Sequence, residues 1–162
     1  MGNNSNRYIR LLIEFAETEL DCEMKSACEI FFQKQNSFSD NDPDSEMRFL
    51  EWFIFDWRCP QSGRSLIEIF LSRVSEELSP QDASILQGFV KNVFSFFKIL
   101  EVKAGRIQMR DLVTDKDYDV LEYLASFQLK AQDVLIARLL PWKKQWVLSG
   151  PAIPLREETA YF

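Results

Sequence analysis

The sequence predicts an α+β fold, with about four N-terminal helices followed by a five-stranded antiparallel sheet that curls into a small partial barrel. Three observations carry this prediction. Apolar residues recur at steps of three and four up to about residue 94, then alternate with polar ones. Helix-start signals cluster in the first stretch and tight-turn signals in the second. Aromatic residues make up 14% of the 162 residues, with fourteen Phe and four Trp, enough apolar surface for a sizeable core. One domain over 1–162 is expected: a helical half (7–94), a β half (95–155) and a loose tail (156–162).

Ile9, Ile13, Ala16, Leu20, Met24, Ala27 and Phe31 lie on one helical stripe and predict a single helix over about 7–33. Glu14, Glu17 and Asp21 fall off that stripe. Carboxylates so placed would need inward histidines to build a bundle metal site. The chain has no His, so they read as a solvated face. After a polar loop over 36–44, Asp42-Pro43 reads as a helix start. The helix that follows, to about Trp57, is apolar nearly all round, which predicts a central helix with Phe49, Trp52, Phe53 and Trp57 on one core face, extended by Leu50 and Ile54. Ser65 and Glu68 have the spacing of a capping box and open a third helix to about Leu78. Ser79-Pro80 opens a fourth, with Leu86 and Phe89 inward.

Strand periodicity begins near Phe97 and Ile99. Gly105 marks a tight turn into 106–110, and 114–117 is a turn into 118–123. Residues 134–140 are β-rich and apolar, 141–145 turn the chain into 146–148, and a last extended stretch covers 152–155.

Net charge is −6 and unevenly placed. Residues 1–94 hold nine Lys/Arg against sixteen Asp/Glu, and residues 95–162 hold ten against nine. Such an acidic first half disfavours nucleic-acid binding over the whole surface and leaves only a local site in the second half. No apolar run approaches the roughly 20 residues of a membrane span. The first six residues lack the layout of a signal peptide. Cys22, Cys28 and Cys59 are odd in number and form no CxxC pair, so reduced thiols in a cytoplasmic compartment are expected, with no structural metal.

Without His there is no Ser-His or Cys-His nucleophile pair. The five glycines form no phosphate-cradling loop. No catalytic activity and no cofactor are expected. Two places invite a binding role. Trp142, Lys143, Lys144 and Trp146 put two aromatics around two lysines at a hairpin tip, a pattern that serves stacking on single-stranded nucleic acid, anchoring of a protein, or only a structural hairpin. Asp56 and Arg58, inside an aromatic segment, read as a buried polar pair or as a cap that ends the central helix.

The aromatic segment from Phe49 to Arg58, Asp111-Leu112-Val113-Thr114 with Tyr118-Asp119-Val120, and Trp146-Val147-Leu148-Ser149-Gly150-Pro151 together resemble the signature of an uncharacterised bacterial domain family. The resemblance covers roughly 45–155. It implies a shared fold and no known activity. The family pattern has Gly in the turn at Asp115-Lys116, where this chain has none. The expected function is thus a non-catalytic protein-interaction or accessory module with another protein as partner. A weak RNA or single-stranded DNA binder acting through the small barrel is the alternative.

Overall fold

The computed structural model describes residues 5–34, 44–122, 128–150 and 152–155. The chain forms two compact units, one from residues 6–90 and one from residues 91–162 with the first five. The predicted start at Asp42-Pro43 and the tail 156–162 lie outside the described residues.

The first unit holds five helices, α1 (Ser5–Glu19), α2 (Asp21–Lys34), α3 (Ser45–Phe55), α4 (Leu66–Val74) and α5 (Pro80–Phe89). The single helix expected over 7–33 is two, parted at Leu20. Thr18 donates its hydroxyl back to the Glu14 and Phe15 carbonyls (2.9 and 3.2 Å), a bond that bends helices. The buried seam of α1 is Tyr8, Leu12, Phe15 and Ala16, while Ile9 and Ile13 are half-buried. The apolar arc is wide enough to fit both phases, and the two rings decide between them. Phe15 meets Phe70 of α4 edge-on at 5.0 Å.

In α3 the core residues are Phe49, Phe53, Ile54 and Phe55, and Trp57 just beyond it is buried as well, while Leu50 is half-buried. Trp52, expected in the core, is only half-buried; it rests against Phe31 of α2 at 5.3 Å. The helix stops when the amides of Asp56 and Trp57 both turn to the Trp52 carbonyl. Ser65 and Glu68 form the predicted capping box, and Ser79 caps α5 with Pro80 in its first turn.

The second unit is a mixed β-barrel of strands β1 (Val93–Lys103), β2 (Arg106–Asp111), β3 (Asp117–Leu121), β4 (Val134–Trp142) and β5 (Gln145–Leu148), with β6 (Ile153–Leu155) added on β4. The order β1-β2-β3-β5-β4 closes because β1 also pairs with β4. The sheet thus has six strands and one parallel pair, β3 with β5, rather than five antiparallel strands. A register shift between Ile99 and Glu101 explains the closure, since a bulge bends a strand. The first part of β1 pairs with β4 and the later part with β2. Inward residues alternate with outward ones, most cleanly on β2, and Phe97, Ile107, Met109, Val120, Leu135 and Leu139 fill the interior.

Candidate functional site

The hairpin tip divides. Lys143 and Lys144 form the two-residue connection between β4 and β5 and are exposed. Lys143 sits at φ 56, a left-handed conformation that an L side chain adopts only where the turn demands it. Trp146 packs against the barrel core, where Tyr118 meets it edge-on at 4.9 Å. Trp142 is half-buried. The tip therefore presents two cations, with one of its two rings used inside.

Asp56 and Arg58 are both exposed, so they are not a buried pair. Both stand at the end of α3, on either side of the buried Trp57. Asp56 is the C-cap residue, and Arg58 donates to the carbonyls of Phe55 (3.1 Å) and Trp57 (3.0 Å). A guanidinium there satisfies carbonyls that the helix end leaves without partners. Glu14, Glu17 and Asp21 are exposed as expected of a solvated face.

In the first unit, a groove of about 260 Å³ runs between α2 and the loop after α3, lined by Cys22, Glu23, Ala27, Ile30, Trp57 and Pro60. Beside it the loop from Cys59 to Arg64 folds on itself, with the Gly63 amide on the Cys59 carbonyl at 2.7 Å. The Ser62 hydroxyl, with backbone amides of Ser62 and Gln61, holds the Cys59 thiol below its usual pKa.

The outer faces of the barrel differ in chemistry. Across β2 and β3 most outward side chains are polar, and several are paired: Arg110 with Asp117 at 2.8 Å, Arg106 with Asp119 at 3.6 Å, and Gln145 of β5 with Asp119 at 3.1 Å. Across β1, β4 and β6 the outward side chains are mostly apolar. Phe96 stands opposite Ile136, and Ile136 opposite Ile153, forming a ladder over three strands. Below it lie Lys98, Val134 and Leu155; above it Phe94 faces Arg138, whose guanidinium covers the ring at 4.7 Å and bonds Asn92. Phe94 is 57% exposed, Phe96 46% and Ile153 44%.

Beside this face the β2–β3 turn holds up Leu112 and Val113, both exposed. Its anchor is Asp111, which is buried and accepts from the Ser95 hydroxyl (2.6 Å), the Val113 amide (2.9 Å) and the Thr114 hydroxyl (2.8 Å). The Leu112 amide bonds the Phe96 carbonyl at 2.9 Å, tying the turn to the ladder. Asp115 takes φ 58, a left-handed conformation that Gly would adopt with less strain.

Sequence reasoning passed over the β1–β4–β6 face. Its signal was the run Val93-Phe94-Ser95-Phe96-Phe97-Lys98-Ile99, in which Phe94 and Phe96 have the opposite parity to the inward Phe97 and Ile99. Both faces of the strand are thus apolar, which a pattern read for one buried face overlooks.

No curated protein and no solved structure matches the chain. A family model does match, over residues 4–161, nearly the whole length and including the stretches singled out above. The chain belongs to that family, a family of unknown function (DUF7986).

Proposed function

We propose that this chain is a non-catalytic protein-interaction module whose docking surface is the outer barrel face across β1, β4 and β6. The observation that carries the reading is the ladder Phe96–Ile136–Ile153, flanked by exposed Phe94 and Leu155. A contiguous apolar patch left in water marks an interaction surface, because a partner removes it from solvent at about 25 cal/mol per Å² gained. The neighbouring edge argues for the face itself. β6 ends the strand order, and its middle residue Pro154 has no N–H to offer, so it is a poor template for strand addition.

The test is a paired capture. Wild type and Phe96→Ser are immobilised, exposed to cell extract at high salt, and their retained proteins compared. The reading expects discrete proteins on the wild type that are lost from the variant while its melting curve stays in place. Identical profiles would remove this face as the docking surface.

A second reading has one favouring observation. The strand order, with β3 parallel to β5, is that of OB-type barrels, which take oligonucleotides on the β2–β3 face and on the β1–β2 and β4–β5 loops. The β4–β5 loop here is Lys143-Lys144. Against it, both outward arginines of β2 pair with carboxylates of β3, and the outward side chains of the two strands include no aromatic ring on which a base could stack. Salt-dependent binding of a short single-stranded oligonucleotide, lost on Lys143→Glu with Lys144→Glu, would favour it.

A further inference from the structure

We infer that Cys22 and Cys59 form a reversible disulfide clasp across the groove of the first unit, made and broken by exchange with low-molecular-weight disulfides of the glutathione class. The two cysteines belong to opposite walls. Cys22, Ser26 and Ile30 follow one another at steps of four and give the groove one face of α2; Trp57, Pro60 and Gln61, after α3, form the facing wall. Phe31 of α2 meets Phe49 and Trp52 of α3 at 5.6 and 5.3 Å, so both walls belong to one packed body. Cys22 is exposed in the first turn of α2, and Cys59 is half-buried beside Pro60. The carboxylate of Glu23, next to Cys22, acts on the Cys59 thiol, which sets Cys59 at the end of the groove that Cys22 flanks. Cys28 is a poor alternative partner. Six residues beyond Cys22 on the same helix, it lies about one and two-thirds turns away and so on a different face.

The loop from Cys59 to Arg64 is closed around the sulfur. The Cys59 amide bonds the Arg64 carbonyl at 2.9 Å, the Gly63 amide bonds the Cys59 carbonyl at 2.7 Å, and Gly63 takes φ 68 to complete the turn. So held, the Ser62 hydroxyl and the Ser62 and Gln61 amides stabilise the thiolate. The protonated thiol donates instead to Gln61 Oε1 at 3.1 Å, and Gln61 lines the groove. Cys59 is therefore the attacking thiol. Its sulfur attacks one sulfur of the incoming disulfide, a mixed disulfide forms on Cys59, and one thiolate leaves. The Cys22 sulfur then attacks the Cys59 sulfur, the Cys22–Cys59 bond forms, and the second thiolate leaves. Two protein thiols are oxidised, one disulfide is reduced to two thiols, and the two cysteine protons end on the released thiols. The closed clasp ties the first turn of α2 to the loop after α3 and narrows the groove. Excess reduced thiol reopens it by the same steps in reverse.

The experiment uses the full chain, fully reduced and then incubated with excess glutathione disulfide. Remaining thiols are alkylated at intervals, the protein is digested without reduction, and the peptides are mapped by mass spectrometry. The inference expects a mixed disulfide that appears first on Cys59 and gives way to a Cys22–Cys59 link within one chain, with Cys28 recovered alkylated. Reduced glutathione added afterwards should remove the link. Cys22→Ser should stop the reaction at the mixed disulfide on Cys59. Cys59→Ser should abolish the link, and Ser62→Ala should slow the first step while leaving Cys28 as it was. Melting curves of the reduced variants check that the fold is kept, and the wild-type map stands without them. A mixed disulfide that persists on Cys59 while Cys22 stays free would overturn the clasp, because it would show that the two sulfurs do not meet. A link from Cys22 to Cys28, a disulfide-joined dimer, or a Cys59 that is not oxidised at all would overturn it equally.

Discussion

The Ser95 hydroxyl on β1 donates a 2.6 Å hydrogen bond to the buried carboxylate of Asp111 at the end of β2. Burial by itself would raise the pKa of that carboxyl. The bonds from Ser95, Val113 and Thr114 outweigh burial and hold it below the usual carboxylate value. A carboxyl whose pKa is lower folded than unfolded adds stability that is fully present above the unfolded value, about 4, and is lost as pH falls through the folded one. Asp111→Ala leaves three donors without their acceptor. It should destabilise the barrel by about 1–3 kcal/mol at neutral pH. Denaturant melts at a series of pH values check this: the gap between variant and wild type should be constant above about pH 4 and narrow below it.

The capping box of α4 makes a smaller, local prediction. The Ser65 hydroxyl accepts from the Glu68 amide at 3.2 Å, and Glu68 accepts from the Ser65 amide at 2.7 Å. Ser65→Ala should cost about 1 kcal/mol. Glu68→Gln keeps an acceptor and should cost less. Thermal melts of the two variants give the order directly, and an equal or reversed order would count against reciprocal capping.

The cysteines should differ in reactivity. The Ser62 hydroxyl and loop amides lower the pKa of Cys59, whereas burial and nearby Glu29 and Glu46 raise that of Cys28. Thiolate is the reactive form. With limiting iodoacetamide near neutral pH, mass spectrometry should find Cys59 alkylated well before Cys28. Ser62→Ala should slow Cys59 and leave Cys28 as it was.

Much of the architecture was legible in the sequence because single residues carry its signals. Ser65, Glu68, Ser79 and Pro80 announce helix starts, and β2 alternates cleanly from Arg106 to Asp111. Less legible was whatever depends on which of two apolar phases wins. Tyr8 and Phe15 took the seam of α1 from Ile9 and Ile13, and Trp52 yielded its place in the core to Phe55, while Ile54 is buried as its position on the face predicts. The parallel β3–β5 pairing follows from barrel closure through the bulge in β1, a long-range event that no local window contains. Of the candidate surfaces, the lysine tip was visible as a motif. The Phe94–Phe96 face was hidden because its residues resemble core until the strand is placed.

The hairpin offers a test that separates packing from charge. Trp146 is set against Tyr118 and the barrel core, so Trp146→Ala should cost roughly 2–4 kcal/mol. Lys143→Glu with Lys144→Glu reverses two exposed charges and should stay within about 0.5 kcal/mol per site. Chemical denaturation of both variants decides it, and a large loss in the lysine pair would mean that the tip is structural.

The most direct test of the docking surface is hydrogen–deuterium exchange on the full chain with and without a saturating captured partner protein. The account predicts added protection over 93–98, 134–138 and 153–155 and in the turn at Leu112-Val113, with little change at 143–146. Protection confined to the hairpin tip, or to the groove between α2 and the loop after α3, would contradict it.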